Sequence, residues 1–370
     1  MTPLGRKLAE RIAREGPISV AEFMAACLGD AEHGYYRGRD AIGAQGDFVT
    51  APEISQMFGE LLGLWAAQAW VAIGRPRSVI LAELGPGRGT LMADALRAVR
   101  KAAPDFAAAL SLHLVEINAA LRSRQAAALA DASPTWHESH TRLPDGPLIL
   151  VANEYLDALP VRQFVRHSGV WRERCVALDE TRQRFCFVSG PAAPHGLGLR
   201  AEAPDGAIAE VRPAAEALGA WLGGRLAEHP GATLFVDYGS AAGGLGDTLQ
   251  AVRSHRFADP LADPGETDLS AHVDFAAFAR AAQAAGAEAQ GPVPQGALLR
   301  RLGIEARAAV LLRAATRAQA AAIDTACQFL IGETRMGRVF KALALATRGV
   351  STLPGFDPED RCVDQPLSSG

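Results

Sequence analysis

Apolar positions recur along this chain with two different periods. From Leu4 to about Gly74 they return at helical spacing, with Leu8, Ile12, Val20, Phe23 and Met24 marking apolar faces around a glycine-rich turn from His33 to Gly46. The texture then changes. "SVILAELGPGRGTLMADALRAVRKA" joins an apolar run, a glycine loop and a helix, which is the opening of an α/β unit. "LSLHLVEI" predicts a second strand, Leu121 to Leu129 a helix, and "PLILVANEYLDALP" a third strand ending in polar residues. "VRQFVRHSGVWRERCVALDETRQRFCFVSG" alternates apolar and polar residues around turn signals, which predicts an antiparallel β excursion. The buried-strand pattern returns at Thr233 to Val236, and a polar, irregular passage follows to Asp268. Helices are expected over "DFAAFARAAQAAGA", over Ala297 to Leu302 and over Ile304 to Ile331, before "VFKALALATRG" reads as a late strand.

Strands alternating with helices imply a mostly parallel sheet covered on both faces. Four consecutive segments are expected: an N-terminal helical region over 1–75, the first part of the nucleotide-binding core over 76–165, a β-rich insertion over 166–230, and the rest of the core with substrate-side helices over 231–370.

One segment resists a purely helical explanation. In "GDFVTAPEISQMFGELLG", Thr50 and Glu53 spell a capping box with Pro52 in the first turn, and Ile54, Phe58, Leu61, Leu62 and Trp65 form one apolar face. Gly46, Asp47 and Phe48 are left over, and the expectation is that Asp47 with Thr50 helps to close a ligand pocket from outside the core.

Composition narrows the function classes. A chain of 370 residues that is 49% hydrophobic buries a sizeable core, and a net charge of −4 without Lys/Arg blocks argues against nucleic acid or an anionic membrane surface as partner. Cys27, Cys175, Cys186, Cys327 and Cys362 are an odd number with no C-x-x-C pair, poor material for disulfides or a metal site. No apolar run is long enough to predict a membrane span. The opening "MTPLGRKLAERIAREG" mixes acidic and basic residues, fits neither a signal nor a transit peptide, and leads to an expected cytoplasmic location.

In an open parallel sheet, ligands sit at the carboxyl ends of the strands near the point where strand order reverses. After the first strand comes "ELGPGRG", with Gly85, Gly87 and Gly89 allowing a tight turn and close backbone approach. Thr90 stands where a dinucleotide fingerprint has its third glycine, and Glu83 just ahead of the loop would repel a pyrophosphate. An ammonium would suit Glu83, and Glu116 at the end of the second strand can accept ribose hydroxyls. Together these point to S-adenosylmethionine rather than a nicotinamide cofactor. Methyl transfer asks the protein mainly to position a nucleophile and handle one proton. "ANEYLDALP" supplies Asn153, Glu154 and Asp157 for a nitrogen acceptor, with a guanidinium matching a carboxylate in bidentate fashion. Asp237 in "VDYG" ends a later strand, and "DLSAHVDF" offers His272 as a proton acceptor, although Asp268 or Ser270 can instead cap the next helix. A small-molecule methyltransferase and a non-catalytic assembly chaperone remain alternatives.

"GDFVTAPEISQMFGELLG", "ELGPGRGTLMADALR", "LVEINAALRSRQ", "ANEYLDALPVRQF", "FVDYG", "GDTLQAVRSH", "DLSAHVDF" and "MGRVFKALALA" together resemble the MidA-like methyltransferases, whose eukaryotic members are mitochondrial complex I assembly factors. The resemblance runs from about Gly34 to Thr347 and implies a Rossmann-like class I methyltransferase fold with an N-terminal helical layer and a β-rich insertion. It also implies S-adenosylmethionine as cofactor and a protein-arginine substrate, such as a complex I subunit. Carried onto this chain, the cofactor residues are Glu83, Gly85, Gly87, Gly89, Glu116 and Asn153.

Overall fold

The computed structural model describes residues 1–38, 50–181, 183–253 and 256–360. The chain forms two compact units, each discontinuous in sequence: Met1–Phe48 with Leu156–Ala215 and Ala242–Asp274, and Val49–Tyr155 with Glu216–Ala241 and Phe275–Gly370. This division crosses the four consecutive segments expected from the sequence, since 1–75 contributes to both units.

The second unit holds the nucleotide-binding sheet. Its elements are α1 (Ala51–Ile54), α2 (Gln56–Ala72), β1 (Val79–Leu84), α3 (Thr90–Ala102), β2 (Leu110–Val115), α4 (Ala119–Ala128), β3 (Thr135–His137), β4 (Leu148–Asn153), β5 (Gly231–Ser240), β6 (Glu288–Pro294) and β7 (Phe340–Ala346), with further helices toward the C-terminus. Strand order is β6-β7-β5-β4-β1-β2-β3. The strands from β5 to β3 pair in parallel, whereas β7 runs antiparallel between β5 and β6. Every residue of β1 and β4 is buried, as expected of central parallel strands covered on both faces. Phe58, Leu62 and Trp65 of α2, Leu81 of β1, Val151 of β4 and Leu330 belong to one continuous core.

Helix α2 lies unusually close to α3. A Cβ at Gly63 would stand 2.6 Å from Ala95 Cα, and one at Gly59 would stand 2.7 Å from the Leu91 carbonyl oxygen. Both obstacles are backbone, so only glycine permits this separation. Gly63→Ala should therefore lower stability by about 1–3 kcal/mol through overpacking. Thermal unfolding checks this, and an unchanged midpoint would show that the helices part freely.

Several expectations are corrected here. The single helix foreseen from Thr50 onward breaks at Ser55, which is extended and whose side chain accepts the Met57 N–H to start α2. The Thr50 to Glu53 capping box does not form, because the Thr50 side chain makes no capping bond and the Glu53 carboxylate accepts from Thr90 Oγ1 at 2.5 Å. Asp268–Ser270 is a strand rather than a helix cap. The helix expected over 304–331 is two, Ile304–Leu312 and Arg317–Ile331, the second started by a capping box of Thr316 with Gln319. Strand β6 has no forecast because Gly291 and Pro292 interrupt its apolar pattern, and there its register against β7 shifts.

The first unit packs helices Pro3–Glu15 and Val20–Gly29 through Leu4, Leu8, Ile12, Phe23 and Met24 into a core shared with Val161, Val176 and Leu269. Its five-stranded antiparallel sheet joins Ile18–Ser19, Arg162–His167, Val170–Leu178, Phe185–Ala192 and Ile208–Val211; the middle three are the β excursion expected from the alternating pattern, whereas Ile18–Ser19 lies in the stretch expected to be helical. A smaller sheet pairs Gln250–Arg253 with Arg256–Ala258 and Asp268–Ser270, within the passage that reads as irregular in sequence.

Candidate functional site

Strand order reverses between β1 and β4, so the carboxyl ends of β1, β2 and β4 form the rim where a ligand is expected. Three glycines shape it. Gly85, Gly87 and Gly89 all have left-handed φ, at +61°, +52° and +84°. They turn the chain from β1 into α3, whose N-cap is Gly89 with no side-chain cap. A Cβ at Gly85 would approach Tyr155 Cδ2 to 3.0 Å, while the Gly85 N–H is tied to the Val115 carbonyl at 3.1 Å.

Parallel register places two acceptors on one face of the sheet. Glu83 pairs with Val151, and Asn153 lies two residues further along β4, so both side chains project the same way. Glu83 Oε2 and Asn153 Oδ1 are buried with no hydrogen-bond partner. The Asn153 amide nitrogen donates to Glu154 Oε1 at 2.8 Å, which leaves the buried oxygen as the open acceptor. Burial, reinforced by Glu116, pushes the Glu83 carboxyl up to about 8. Two buried unsatisfied acceptors beside a glycine loop fit a bound ammonium, the group that the methionine part of S-adenosylmethionine carries.

Glu116, just past β2, is buried and braced from several sides. Its Oε1 accepts the Asn118 N–H at 2.8 Å, its Oε2 accepts from Gln125 Nε2 at 3.2 Å, its own N–H bonds the His137 carbonyl at 3.0 Å, and Arg122 Nε donates to its carbonyl at 2.7 Å. Burial raises its carboxyl above the ordinary range against the pull of those donors. Each carboxylate oxygen has a second lone pair, so ribose hydroxyls are compatible with these bonds.

The remaining residues singled out in the sequence separate. Glu154 has left-handed φ at +53°, and its Oε1 accepts the Ala51 N–H at 3.2 Å, so this carboxylate, not Thr50, serves the start of α1. Thr50 sits half-buried at that N-cap, and Asp47 lies outside the described residues. Asp237 occupies the alternate face of β5, where Oδ2 accepts the Tyr155 N–H at 3.0 Å and Oδ1 the Tyr238 N–H at 2.8 Å; the carboxylate braces the turn after β4. Asp157 and His272 belong to the other unit. There Arg212 Nη1 donates to the Asp157 carbonyl and Nη2 to the His272 carbonyl, both at 3.1 Å, while also holding Leu156 and Leu159. Burial pushes the Asp157 carboxyl up to about 6 against the pull of Arg212 and pushes His272 below its ordinary value.

Two contributors carry no forecast from the sequence: Tyr155 packs under Gly85, and Gln125 reaches the glycine loop; Glu53, expected in a capping box, instead binds Thr90 and stands 3.8 Å from Arg88.

The strand order, the glycine loop and the paired acids at the ends of β1 and β2 define a class I S-adenosylmethionine-dependent methyltransferase. A family model described as "Putative S-adenosyl-L-methionine-dependent methyltransferase" matches residues 61–293. The mouse protein named "Protein arginine methyltransferase NDUFAF7, mitochondrial" is 37% identical, covering 84% of this chain and 77% of that one. The Drosophila melanogaster homolog of that name is 33% identical over 92% and 84%. A crystal structure from Burkholderia thailandensis bound to S-adenosyl-homocysteine superposes with a TM-score of 0.82 at 30% identity, covering 96% of each chain. The chain belongs to this methyltransferase family, and S-adenosyl-L-methionine is its cofactor.

The cytoplasmic location expected from the sequence is corrected by the same comparison, because these relatives are named mitochondrial. The first residues form a helix buried through Leu4, Leu8 and Ile12. No helix among the described residues is long and apolar enough to cross a membrane.

Proposed function

We propose that the chain is a protein-arginine N-methyltransferase that seats S-adenosylmethionine on the rim formed by β1, β2 and β4. The acceptor class is carried by the relatives, which are named protein arginine methyltransferases and cover most of this chain. The seat is supported by the orphaned acceptors Glu83 Oε2 and Asn153 Oδ1. Glu83 and Asn153 take the ammonium, the Gly85 to Gly89 backbone lies against the cofactor, and Glu116 accepts the ribose hydroxyls. Once bound, the cofactor supplies an electrophilic methyl group. Thr50, half-buried at the start of α1, contributes to closing the cofactor side.

Glu154 is assigned to orient the acceptor nitrogen, since its carboxylate stands at the end of the same strand as Asn153 and suits a guanidinium. Asp237 acts by positioning, through the Tyr155 amide it holds. A subunit of respiratory complex I is the acceptor that the family resemblance implies.

Incubating the protein with methyl-labelled cofactor and an extract lacking this activity should label one protein, and acid hydrolysis should recover the label in methylarginine. Label recovered in another residue, or only in small molecules, would overturn the arginine reading.

A further inference from the structure

The side chain of Gln125 is fully buried on α4 and makes three directed hydrogen bonds. Its Nε2 donates to the Gly87 carbonyl at 2.7 Å and to Glu116 Oε2 at 3.2 Å, while its Oε1 accepts from Trp136 Nε1 at 2.8 Å. The orientation is unambiguous. An indole nitrogen only donates, so the amide oxygen must face Trp136 and the NH2 group must face the two oxygens. The glycine loop also rests on this residue, because a Cβ at Gly89 would meet Gln125 Cα at 3.4 Å and Cγ at 3.5 Å.

We infer that Gln125 is a positioning residue for the cofactor: its carboxamide locks the glycine loop and the Glu116 carboxylate into one hydrogen-bonded unit, anchored on Trp136. The two parts of the rim reach the ligand from different strands. Glu116 follows β2 and the loop follows β1, and a side-chain bridge from Glu116 to a loop backbone oxygen passes through Gln125. A carboxylate whose rotamer is already fixed costs less to organise on binding than one that is free to turn. The bridge must also be a neutral amide. A carboxylate at this position would face Glu116 and the Gly87 oxygen, acceptor against acceptor, and an apolar side chain would leave Gly87 O, Glu116 Oε2 and Trp136 Nε1 without this partner in a buried setting.

The inference rests on the seat proposed for S-adenosylmethionine, and the test separates the two. Binding of S-adenosyl-homocysteine is measured by calorimetry for the full chain and for Gln125→Leu, Glu116→Gln and the double variant, alongside thermal unfolding without ligand. Gln125→Leu should bind at least about tenfold more weakly, the scale of one hydrogen bond to a charged group. Adding it to Glu116→Gln should cost little more, because the bridge acts partly through Glu116. In turnover, KM for the cofactor should rise while kcat at saturation stays within about twofold, which is the signature of lost binding rather than lost chemistry. If Gln125→Leu does not fold, Trp136→Phe keeps an aromatic side chain while removing the anchoring N–H together with part of the indole. It should then show a smaller loss of affinity of the same kind.

Equal affinity of the wild type and Gln125→Leu, or a loss that adds in full to that of Glu116→Gln, would overturn the role of Gln125 and leave the seat standing. A wild type that does not bind S-adenosyl-homocysteine would overturn the seat itself.

Discussion

S-adenosyl-homocysteine should bind this protein with release of nearly one proton at neutral pH, and Glu83→Gln should abolish that release. Glu83 is buried on a central strand with one carboxylate oxygen unpartnered, and its carboxyl is pushed up to about 8, first by desolvation and then by Glu116. At pH 7 the ligand-free protein therefore carries Glu83 mostly protonated. An ammonium placed between Glu83 and Asn153 favours the carboxylate, so the proton must leave on binding. Affinity should then rise by up to about tenfold per pH unit between roughly pH 6 and pH 8, and level off above that. Glu83→Gln should bind on the order of a hundredfold more weakly at pH 8, with a smaller gap at pH 6, where the wild type is itself neutral. Calorimetry in buffers of different ionisation enthalpy counts the protons. Glu116 is also raised by burial, so a pH slope that persists in Glu83→Gln would place the titration there instead.

The same group shapes stability in the absence of ligand. Between the ordinary carboxyl value of 4.5 and about 8, the folded chain holds a proton that the unfolded chain has lost. Stability falls with pH wherever the folded state binds more protons, so it should decline across that window by an amount on the order of a few kcal/mol. Ligand should restore it most at the alkaline end.

How much of this is legible before folding depends on whether a residue's partner is local. The β1 strand, the glycine loop and α3 are local, because an apolar run, three glycines and a helical pattern follow one another directly. The acids at the strand ends are equally readable, since each terminates its own apolar run. Glu53 is the counterexample. Its spacing from Thr50 satisfies a capping box, yet it pairs with Thr90 across the fold, and α1 draws its bond from Glu154 instead. The competing partners lie 37 and 103 residues from their mates, beyond the reach of any periodicity. Gln125 did leave a trace. It falls on the stripe of Leu121 and Leu129 at helical spacing, and a lone polar residue on an apolar stripe must be hydrogen-bonded in the interior. The trace gives burial but not the partners. Asp237 shows the reverse limit, for a strand-end carboxylate looks reactive until its two oxygens are found on backbone amides.

Gly85→Val should abolish measurable binding of S-adenosyl-homocysteine while leaving the protein folded. Two costs meet at this position. The backbone is left-handed at φ +61°, which a β-branched residue resists by about 1–2 kcal/mol, and the new Cβ would stand 3.0 Å from the Tyr155 ring before its methyl groups are counted. The strain alone is tolerable for a chain with a core of this size. The collision is more damaging to function, because Tyr155 is held through its N–H by Asp237 and the loop through the Gly85 N–H by Val115, so relief must come from moving the loop or turning the ring. Either movement disturbs the rim where the backbone meets the cofactor. Gly74→Val separates the two effects. Gly74 is also left-handed, at φ +94°, but a Cβ there has nothing within 4 Å. Both variants should lose stability in thermal unfolding, Gly85→Val the more because it adds the collision to the strain, and only Gly85→Val should lose the ligand, by at least a hundredfold on the scale of about 2.7 kcal/mol. Equal retention of binding by both would mean that the loop does not touch the cofactor, and equal loss would mean that binding follows global stability rather than the shape of the rim.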